Sequence, residues 1–332
     1  MTGSAFMVRW PIVALTAVLA IGTMACPRWV DAQPARTAGS LRILLATSHD
    51  DAADGAAMGV AEARRAAELL GNTIHATVQR VSAGSSASAT VAPLLASGGW
   101  DAIAGGDTVD ECRAMAALAR DARLLYVNAW CDDDRLRAAS APRCDGLHRV
   151  LPVLHVAPSR RMRDAAVAAS VASASPDSAS VSAAGTASAS ARSIRVDASH
   201  AIRDRQAVAW HPSLERYGAA QVNDRYRLTY KRGMSERAWL GWAAVKLLAD
   251  VALRPGAASL GAALLEPRPL DGHKGRALRV RGSDGQLLQP LYVIAAGAES
   301  RAATPILAEI ASPVAWDGSA GAALAAKEGR CE

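Results

Sequence analysis

Apolar and polar positions follow two alternating periods between residues 41 and 150, and this pattern predicts a regular strand–helix order. Leu41–Ala46 is a short apolar run of the kind that forms a buried parallel strand. Asp54 and Gly71 are residue types that begin and end helices, and an apolar stripe lies between them. Further strands are predicted at Ile74–Val78, Asp101–Ala104 and Leu124–Val127, with helical patterns between them. The order β-α-β-α-β-α-β predicts an α/β fold with a doubly wound parallel sheet.

The middle of the chain lacks large apolar side chains. Residues 164–193 are almost entirely Ala and Ser. Such a segment buries too little apolar surface to offset the entropy lost when it becomes ordered. We therefore predict that its latter part, residues 173–193, is a flexible linker.

Helical and strand patterns return after this tract. Pro212 is expected to begin a helix near its first turn, and a second helix is predicted over Glu236–Leu253. Trp239 and Trp242 lie on the apolar stripe of that second helix, so we expect both in the core.

A hairpin is predicted near the C-terminus. Arg276–Arg281 alternates apolar residues with Arg, Asp284-Gly285 is a turn signal, and Leu291–Ala295 is expected to return as the second strand. Gln286 and Gln289 flank this hairpin, and we expect them to bond to its backbone.

The N-terminal residues have the features of an export signal. A basic start precedes the apolar run Pro11–Ala25, which is shorter than the roughly 20 residues that span a bilayer. Val30-Asp31-Ala32 is a small-x-small cleavage pattern. We predict that residues 1–32 are a cleaved signal peptide and that the protein is periplasmic. A lipoprotein acylated at Cys26 is the less favoured alternative, because the residues before Cys26 match a lipobox poorly.

Composition narrows the class of partner. Apolar residues make up 51% of the chain but aromatic residues only 4%, so the core must consist mainly of Ala, Val and Leu. The net charge of +6 comes from Arg residues that are scattered among acidic ones. A nucleic-acid-binding surface would concentrate them in a stripe with interleaved aromatics, so we expect no nucleic-acid partner.

Four cysteines follow the predicted cleavage site: Cys112, Cys131, Cys144 and Cys331. An oxidising compartment favours disulfides, and four cysteines allow three pairings. Cys112 and Cys131 lie on a predicted helix and after the neighbouring strand, so they can approach each other, which would leave Cys144 with Cys331. The pairing stays open. No CxxC motif or His cluster has metal-ligand spacing, so we expect no metal and no cofactor.

Motifs of nucleophilic, metal-dependent and nucleotide-dependent enzymes are also missing from the sequence. It contains no GxSxG, HExxH, GxxxxGK[ST] or GxGxxG after a strand. We therefore predict a protein that is not an enzyme.

Five segments together resemble one protein family. They are Gly59–Gly71 (GVAEARRAAELLG), His155–Met162 (HVAPSRRM), Trp210–Arg225 (WHPSLERYGAAQVNDR), Trp239–Leu248 (WLGWAAVKLL) and Gly272–Val293 (GHKGRALRVRGSDGQLLQPLYV). The chain resembles the type I periplasmic-binding proteins, relatives of the Leu/Ile/Val-binding components of ABC importers. The last segments are most similar to the subgroup associated with pyrroloquinoline-quinone-dependent alcohol oxidation.

This resemblance implies two lobes that close over a small solute, which is then delivered to an ABC permease in the inner membrane. Residues 40–155 and 213–265 would form the first lobe, and residues 156–212 and 266–332 the second lobe and hinge. The solute would be amino-acid-like or an alcohol-pathway metabolite, and the protein a monomer. A full member of the family carries several βα units where this chain has the Ala/Ser tract, so we expect a shortened second lobe.

Ligands of open α/β sheets bind at the carboxyl ends of the strands, and in the resembling fold the 210–211 segment returns towards the cleft. The candidate ligand-binding residues are Ser48, Asp51, Asp107, Thr108, Asn128, Trp130, Trp210 and His211. Helix capping is the alternative role of Asp107 and Thr108, and packing at the hinge that of Trp210. A family member that has lost ligand transport and serves as a protein-interaction scaffold is the alternative function.

Overall fold

A five-stranded parallel sheet organises the first half of the chain. Its strands lie in the order β2-β1-β3-β4-β7, and their bounds are β1 Ser40–Thr47, β2 Thr73–Arg80, β3 Ala102–Gly105, β4 Leu125–Asn128 and β7 Val153–His155. This computed structural model describes residues 40–82, 84–138, 142–145, 148–174, 201–216, 218–254, 259–266, 268–298 and 304–311. The predicted α/β fold with a parallel sheet is confirmed.

Helices cover both faces of this sheet, as a continuous apolar strand requires. Leu41, Ile43 and Leu45 of β1 point into the larger core, whereas Leu44 and Ala46 point into the smaller core on the opposite face. The helices are α1 Asp50–Leu69, α2 Ala87–Leu95, α3 Val109–Asp121, α4 Arg135–Ala138, α5 Arg160–Ala174, α6 Ala219–Tyr230, α7 Glu236–Ala252 and α8 Leu260–Ala263.

A second sheet, β8–β12–β13, lies beyond the five-stranded one. The remaining strands are β5 Arg143–Asp145, β6 His148–Val150, β8 Arg205–Val208, β9 Leu270–Asp271, β10 Ala277–Val280, β11 Leu287–Leu288, β12 Leu291–Ala295 and β13 Ala308–Ile310. β12 pairs antiparallel with both β8 and β13, while β10 pairs with β9 and β11. The predicted hairpin of Arg276–Arg281 with Leu291–Ala295 is therefore wrong: the turn returns the chain only as far as β11, and β12 then joins the second sheet.

Two predicted helix starts are also corrected. α1 begins at Asp50 rather than Asp54, after His49 in extended conformation. α6 begins at Ala219, because Gly218 stands at the helix start with a φ of 84° that favours glycine. Pro212 therefore lies in the connection that precedes α6. The expectation that Trp239 and Trp242 lie in the core is confirmed, since both are fully buried.

Several sequence predictions fall outside the described residues. These are the signal peptide 1–32, the alternative acylation at Cys26, the linker beyond Ala174, and Cys331. None of the helices that the structure describes is long and apolar enough to span a bilayer.

Helices α1 and α7 approach each other closely through glycines. A β-carbon added at Gly241 would lie 2.6 Å from the carbonyl oxygen of Ala52, and one added at Gly55 would overlap the carbonyl oxygen of Ala238. Glu62 of α1 also accepts hydrogen bonds from Trp242 Nε1 and Arg225 Nε, each 2.9 Å long, and so joins α1 to α7 and α6.

We predict that Gly55→Ala destabilises the protein although alanine is the better helix former by about 1 kcal/mol. The added methyl group meets backbone atoms of α7, and overpacking of this kind costs about 1–3 kcal/mol. The free energy of unfolding in urea checks this. Ala57→Gly, at an exposed position of α1, reports the propensity effect alone. A Gly55→Ala protein as stable as the wild type would contradict the close approach.

Candidate functional site

An open pocket lies where β4 and β7 end, between the start of α7 and the α5–β8 layer. Its volume is about 520 Å³, within the size range of small-molecule sites. The lining residues are Asp132, Arg160, Arg163, Asp164, Val167, Ile202, Arg205, Gln206, Ala207, Val208 and Glu236. The position agrees with the rule that open α/β sheets bind ligands at the carboxyl ends of their strands.

Charged groups of both signs line this pocket. Arg163 Nη1 lies 2.9 Å from Glu236 Oε1 and donates a 2.6 Å hydrogen bond to the carbonyl oxygen of Ala207. Glu236 also accepts a hydrogen bond from the amide of Ala209. Arg160 and Asp132 form a looser, more exposed pair at 3.5 Å. Val167 and Val208 supply apolar wall, so the pocket combines guanidinium, carboxylate and aliphatic surface.

The loops after β1 and β3 meet at Asp107. Its carboxylate accepts hydrogen bonds from Thr47 Oγ1 at 3.2 Å, Ser48 N at 2.8 Å and Ser48 Oγ at 2.7 Å. Thr108 caps α3 and forms a reciprocal capping box with Glu111. The side chains of Asp107 and Thr108 therefore both have internal partners, and Ser48 stays at the surface beside them.

Asp51 and Trp130 contact the beginning of α7 from two sides. Asp51 Oδ2 accepts a 2.5 Å hydrogen bond from Ser235 Oγ, and Ser235 is the N-cap of α7. Trp130 Nε1 donates to the carbonyl oxygen of Arg237 at 3.1 Å. These contacts fix the end of α7 that carries Glu236 into the pocket.

Asn128 is fully buried and holds the loop that follows β4. Its amide oxygen accepts from the amide of Cys131, and its Nδ2 donates to the Cys131 carbonyl oxygen, each at 2.9 Å. The same Nδ2 lies 2.9 Å from Nδ1 of His155. Asn128 is therefore occupied by its own loop and by His155, and it does not line the pocket.

Trp210 and His211 are buried away from the pocket lining. The Trp210 ring stacks on Trp239, with 5.5 Å between centroids and 8° between planes, and its Nε1 donates to Asn223. His211 Nε2 lies 3.2 Å from the carbonyl oxygen of Ala298, and burial lowers the pKa of His211.

Cys112 and Cys131 form a disulfide with 6.7 Å between their Cα atoms. It ties α3 to the loop after β4, in which Cys131 lies directly between Trp130 and Asp132. The backbone of Cys144 lies in β5. The side chain of Cys144 and all of Cys331 fall outside the part of the chain that the structure describes.

Sequence reasoning missed two buried cations. Arg137 donates hydrogen bonds to Gln286 Oε1 and to the carbonyl oxygens of Cys131, Asp133 and Ala157. Burial lowers the pKa of its guanidinium to about 10. In the sequence, Arg137 is one of several Arg residues in a charged run, and no local signal separates it from its exposed neighbour Arg135.

Lys274 is the second of these cations. Its ammonium group donates to Gln289 Oε1 at 2.6 Å and lies 4.0 Å from the centre of the Trp239 ring. Burial holds the pKa of Lys274 well below its usual value.

Gln286 bonds to the hairpin backbone as expected, through the Leu287 carbonyl oxygen, and also donates to the carbonyl oxygens of His155 and Ala157. The same expectation is wrong for Gln289, whose Nε2 donates to the carbonyl oxygen of Val156, outside the hairpin.

Comparison with known proteins gives similarity in structure only. No family model matches the chain, and no curated protein matches it. The Leu-, Ile-, Val-, Thr- and Ala-binding protein of Brucella ovis superposes with a TM-score of 0.59 at 12% identity, covering 82% of this chain and 95% of that one. A Desulfitobacterium hafniense ABC transporter substrate-binding protein in complex with Leu gives 0.57 at 15% identity, covering 80% and 99%.

A solute-binding protein of Rhodopseudomonas palustris in complex with benzoate gives a TM-score of 0.56 at 14% identity, covering 82% of this chain and 97% of that one. The chain has the type I periplasmic-binding fold. At these identities the likeness establishes the fold, and the predicted alcohol-oxidation subgroup and shortened second lobe stay predictions.

We predict that stability falls as the pH drops from 7.5 to 5.5. Burial, with the nearby Arg137 charge, lowers the pKa of His155, so the unfolded chain takes up a proton near pH 6.5 that the folded chain does not. The contribution of His155 is therefore complete above about pH 7 and is lost as the pH falls through 6.5, by up to about 1.4 kcal/mol per pH unit. Urea unfolding across this range measures the slope.

His155→Gln should reduce that slope, while the control His75→Gln, at an exposed position of β2, should leave it unchanged. Equal slopes in the wild type and His155→Gln would show that His155 is not held neutral.

Proposed function

We propose that this protein is an exported, periplasmic solute-binding protein that acts as a monomer with an ABC permease in the inner membrane. The observation that carries the proposal is the pocket of mixed charge at the carboxyl ends of β4 and β7, in a chain with the type I periplasmic-binding fold. The similar proteins of known structure include substrate-binding proteins in complex with Leu and with benzoate. The predicted signal peptide supports the location.

The pocket chemistry favours a small amino-acid-like solute. Arg160 and Arg205 offer guanidinium groups for a carboxylate, and Asp164 and Asp132 offer carboxylates for an ammonium group. Aliphatic residues between these groups suit a hydrocarbon side chain. An alcohol-pathway metabolite without charge would leave the charged groups without a matching partner in the solute.

A matched series of solutes tests this. We expect L-leucine to bind at least tenfold more tightly than 4-methylpentanoic acid, 3-methylbutylamine or 3-methylbutanol, because each analogue lacks one or both charges. Isothermal titration calorimetry on residues 33–332 measures the affinities. The solute-binding proposal would be wrong if no solute in a broader panel of amino acids, organic acids and alcohols bound saturably.

We further predict that Arg160→Glu weakens L-leucine binding at least tenfold, because it reverses one charge on the pocket wall. Arg160 is 65% exposed, so the fold should tolerate the change. Arg113→Glu is the matched control, since Arg113 is also an exposed arginine beside one aspartate but lies on α3, outside the lining. Identical affinities in the two variants would place the solute elsewhere.

A scaffold role without transport is the second candidate. The internal hydrogen bonds of Asn128 and Trp210 favour it, because these predicted ligand contacts are already occupied by protein groups. It predicts a stably folded chain that binds none of the solutes in the panel saturably, which is the opposite of the outcome expected for a solute-binding protein.

A further inference from the structure

Strand β8 lies at the edge of its sheet and forms part of the pocket wall. Among the described residues it pairs with β12 alone, and all four of its residues line the pocket. An edge strand presents a row of main-chain N–H and C=O groups that no neighbouring strand satisfies. The pocket wall therefore includes main-chain donors and acceptors as well as charged side chains.

The hydrogen bonds on either side of β12 show which main-chain groups of β8 are directed away from the sheet. The amide of Ala296 donates to the carbonyl oxygen of Asp204, so Asp204 and every second residue after it are directed towards β12. Val293, which lies opposite Ala207, instead accepts a hydrogen bond from the amide that precedes β13. The N–H and C=O groups of Arg205 and Ala207 are thus directed away from β12.

An ion pair fills one position along this free edge. Arg163 Nη1 donates to the carbonyl oxygen of Ala207 at 2.6 Å, and Glu236 Oε1 accepts from the amide of Ala209. The two charged groups lie 2.9 Å apart. In a parallel pair of strands, one residue of the neighbouring strand fills both of these positions with its own N–H and C=O groups. The Arg163–Glu236 pair therefore takes the place of one residue of a neighbouring strand.

The next position along the edge, formed by the C=O group of Arg205 and the N–H group of Ala207, is open. Neither group has a hydrogen-bond partner in the part of the chain that the structure describes. Both residues line the pocket. The position offers one acceptor and one donor at the spacing that suits the N–H and C=O groups of a single residue. A free α-amino acid also carries its donor, the ammonium group, and its acceptor, the carboxylate, on one carbon atom.

We propose that the solute binds at this open position as if it were one residue of a neighbouring strand. Its ammonium group donates to the carbonyl oxygen of Arg205, and its carboxylate accepts from the amide of Ala207. Extended peptides add to the edges of sheets through main-chain hydrogen bonds of the same kind. The contact selects α-amino acids over β-amino acids, in which a further carbon atom separates the two groups. This inference rests on the proposed function and names the main-chain contacts that the function would use.

Hydrogen–deuterium exchange resolved to single amides tests the contact directly. In the free protein, the amide of Ala207 should exchange quickly, whereas those of Gln206 and Val208, which are directed towards β12, should be protected. Saturation with L-leucine, or with the α-amino acid of the panel that binds most tightly, should slow exchange at Ala207 at least tenfold relative to Gln206. Saturable binding without added protection at Ala207 would overturn the main-chain contact and leave the solute-binding proposal intact.

The Ala207→Pro variant provides a second test, because proline has no N–H group and the bonds to β12 stay in place. We expect it to weaken L-leucine binding at least tenfold. Ala76→Pro in the edge strand β2 is the matched control. The bond from the Val81 amide to the Thr47 carbonyl oxygen shows that Ala76 is directed away from β1, and its carbonyl oxygen also accepts from an arginine. Equal affinities in the two variants would overturn the contact, and the exchange result decides the question if either variant fails to fold.

A comparison of isomers tests the selection of α-amino acids. L-Leucine should bind at least tenfold more tightly than 3-amino-4-methylpentanoic acid, which has the same formula and charges but one more carbon atom between its ammonium and carboxylate groups. Comparable affinities would show that charge alone is recognised and would overturn the inference. Binding of no solute in the panel would overturn this inference together with the proposed function.

Discussion

The hydrogen bonds of the buried Arg137 guanidinium group are the interaction on which the arrangement of the neighbouring segments depends. Its four acceptors are neutral amide oxygens from three segments: the loop after β4, the segment after β7, and Gln286. Because the cation is buried among carbonyl groups, turning those groups away from it would leave a charge in the core without solvation, which is costly. One side chain therefore sets the relative position of the loop after β4, the segment after β7 and the turn between β10 and β11.

The pocket takes its electrostatic character from the ends of two helices. Arg160 and Arg163 lie in the first turn of α5, and Glu236 lies in the first turn of α7. An acidic side chain is favourable at a helix N-terminus, whereas arginines there are not stabilised by the helix dipole. The arginines of α5 are thus placed where anionic partners, from the protein or from a solute, compensate a local excess of positive potential.

The strand and helix order of the first half could be predicted, because buried parallel strands and capped helices have strong local patterns. β1 and α3 with its Thr108 cap follow from a few adjacent residues. The hairpin prediction failed because β12 pairs with β8, which is distant in sequence and carries no turn signal that links the two. A short apolar run does not encode which sheet it joins.

The site was less predictable than the fold for a related reason. The loops after β1 and β3, which carry predicted ligand-binding residues, meet through Ser48 and Asp107. Whether a polar side chain such as Asn128 faces a cleft or its own loop depends on contacts with Cys131 and His155 that only the folded chain brings together. Arg163 and Glu236, which pair in the pocket wall, are 73 residues apart in the chain.

The Cys112–Cys131 disulfide also bears on the time course of maturation. Closing a ring of about 20 residues stabilises the folded state by about 3 kcal/mol relative to the open chain. In a reducing compartment that contribution is missing, so the free energy of unfolding of a newly made chain is lower there. If the chain is exported as we propose, the Cys112–Cys131 disulfide forms only after the chain has crossed the membrane. The protein would then reach its full stability in the periplasm, where we propose that it binds its solute.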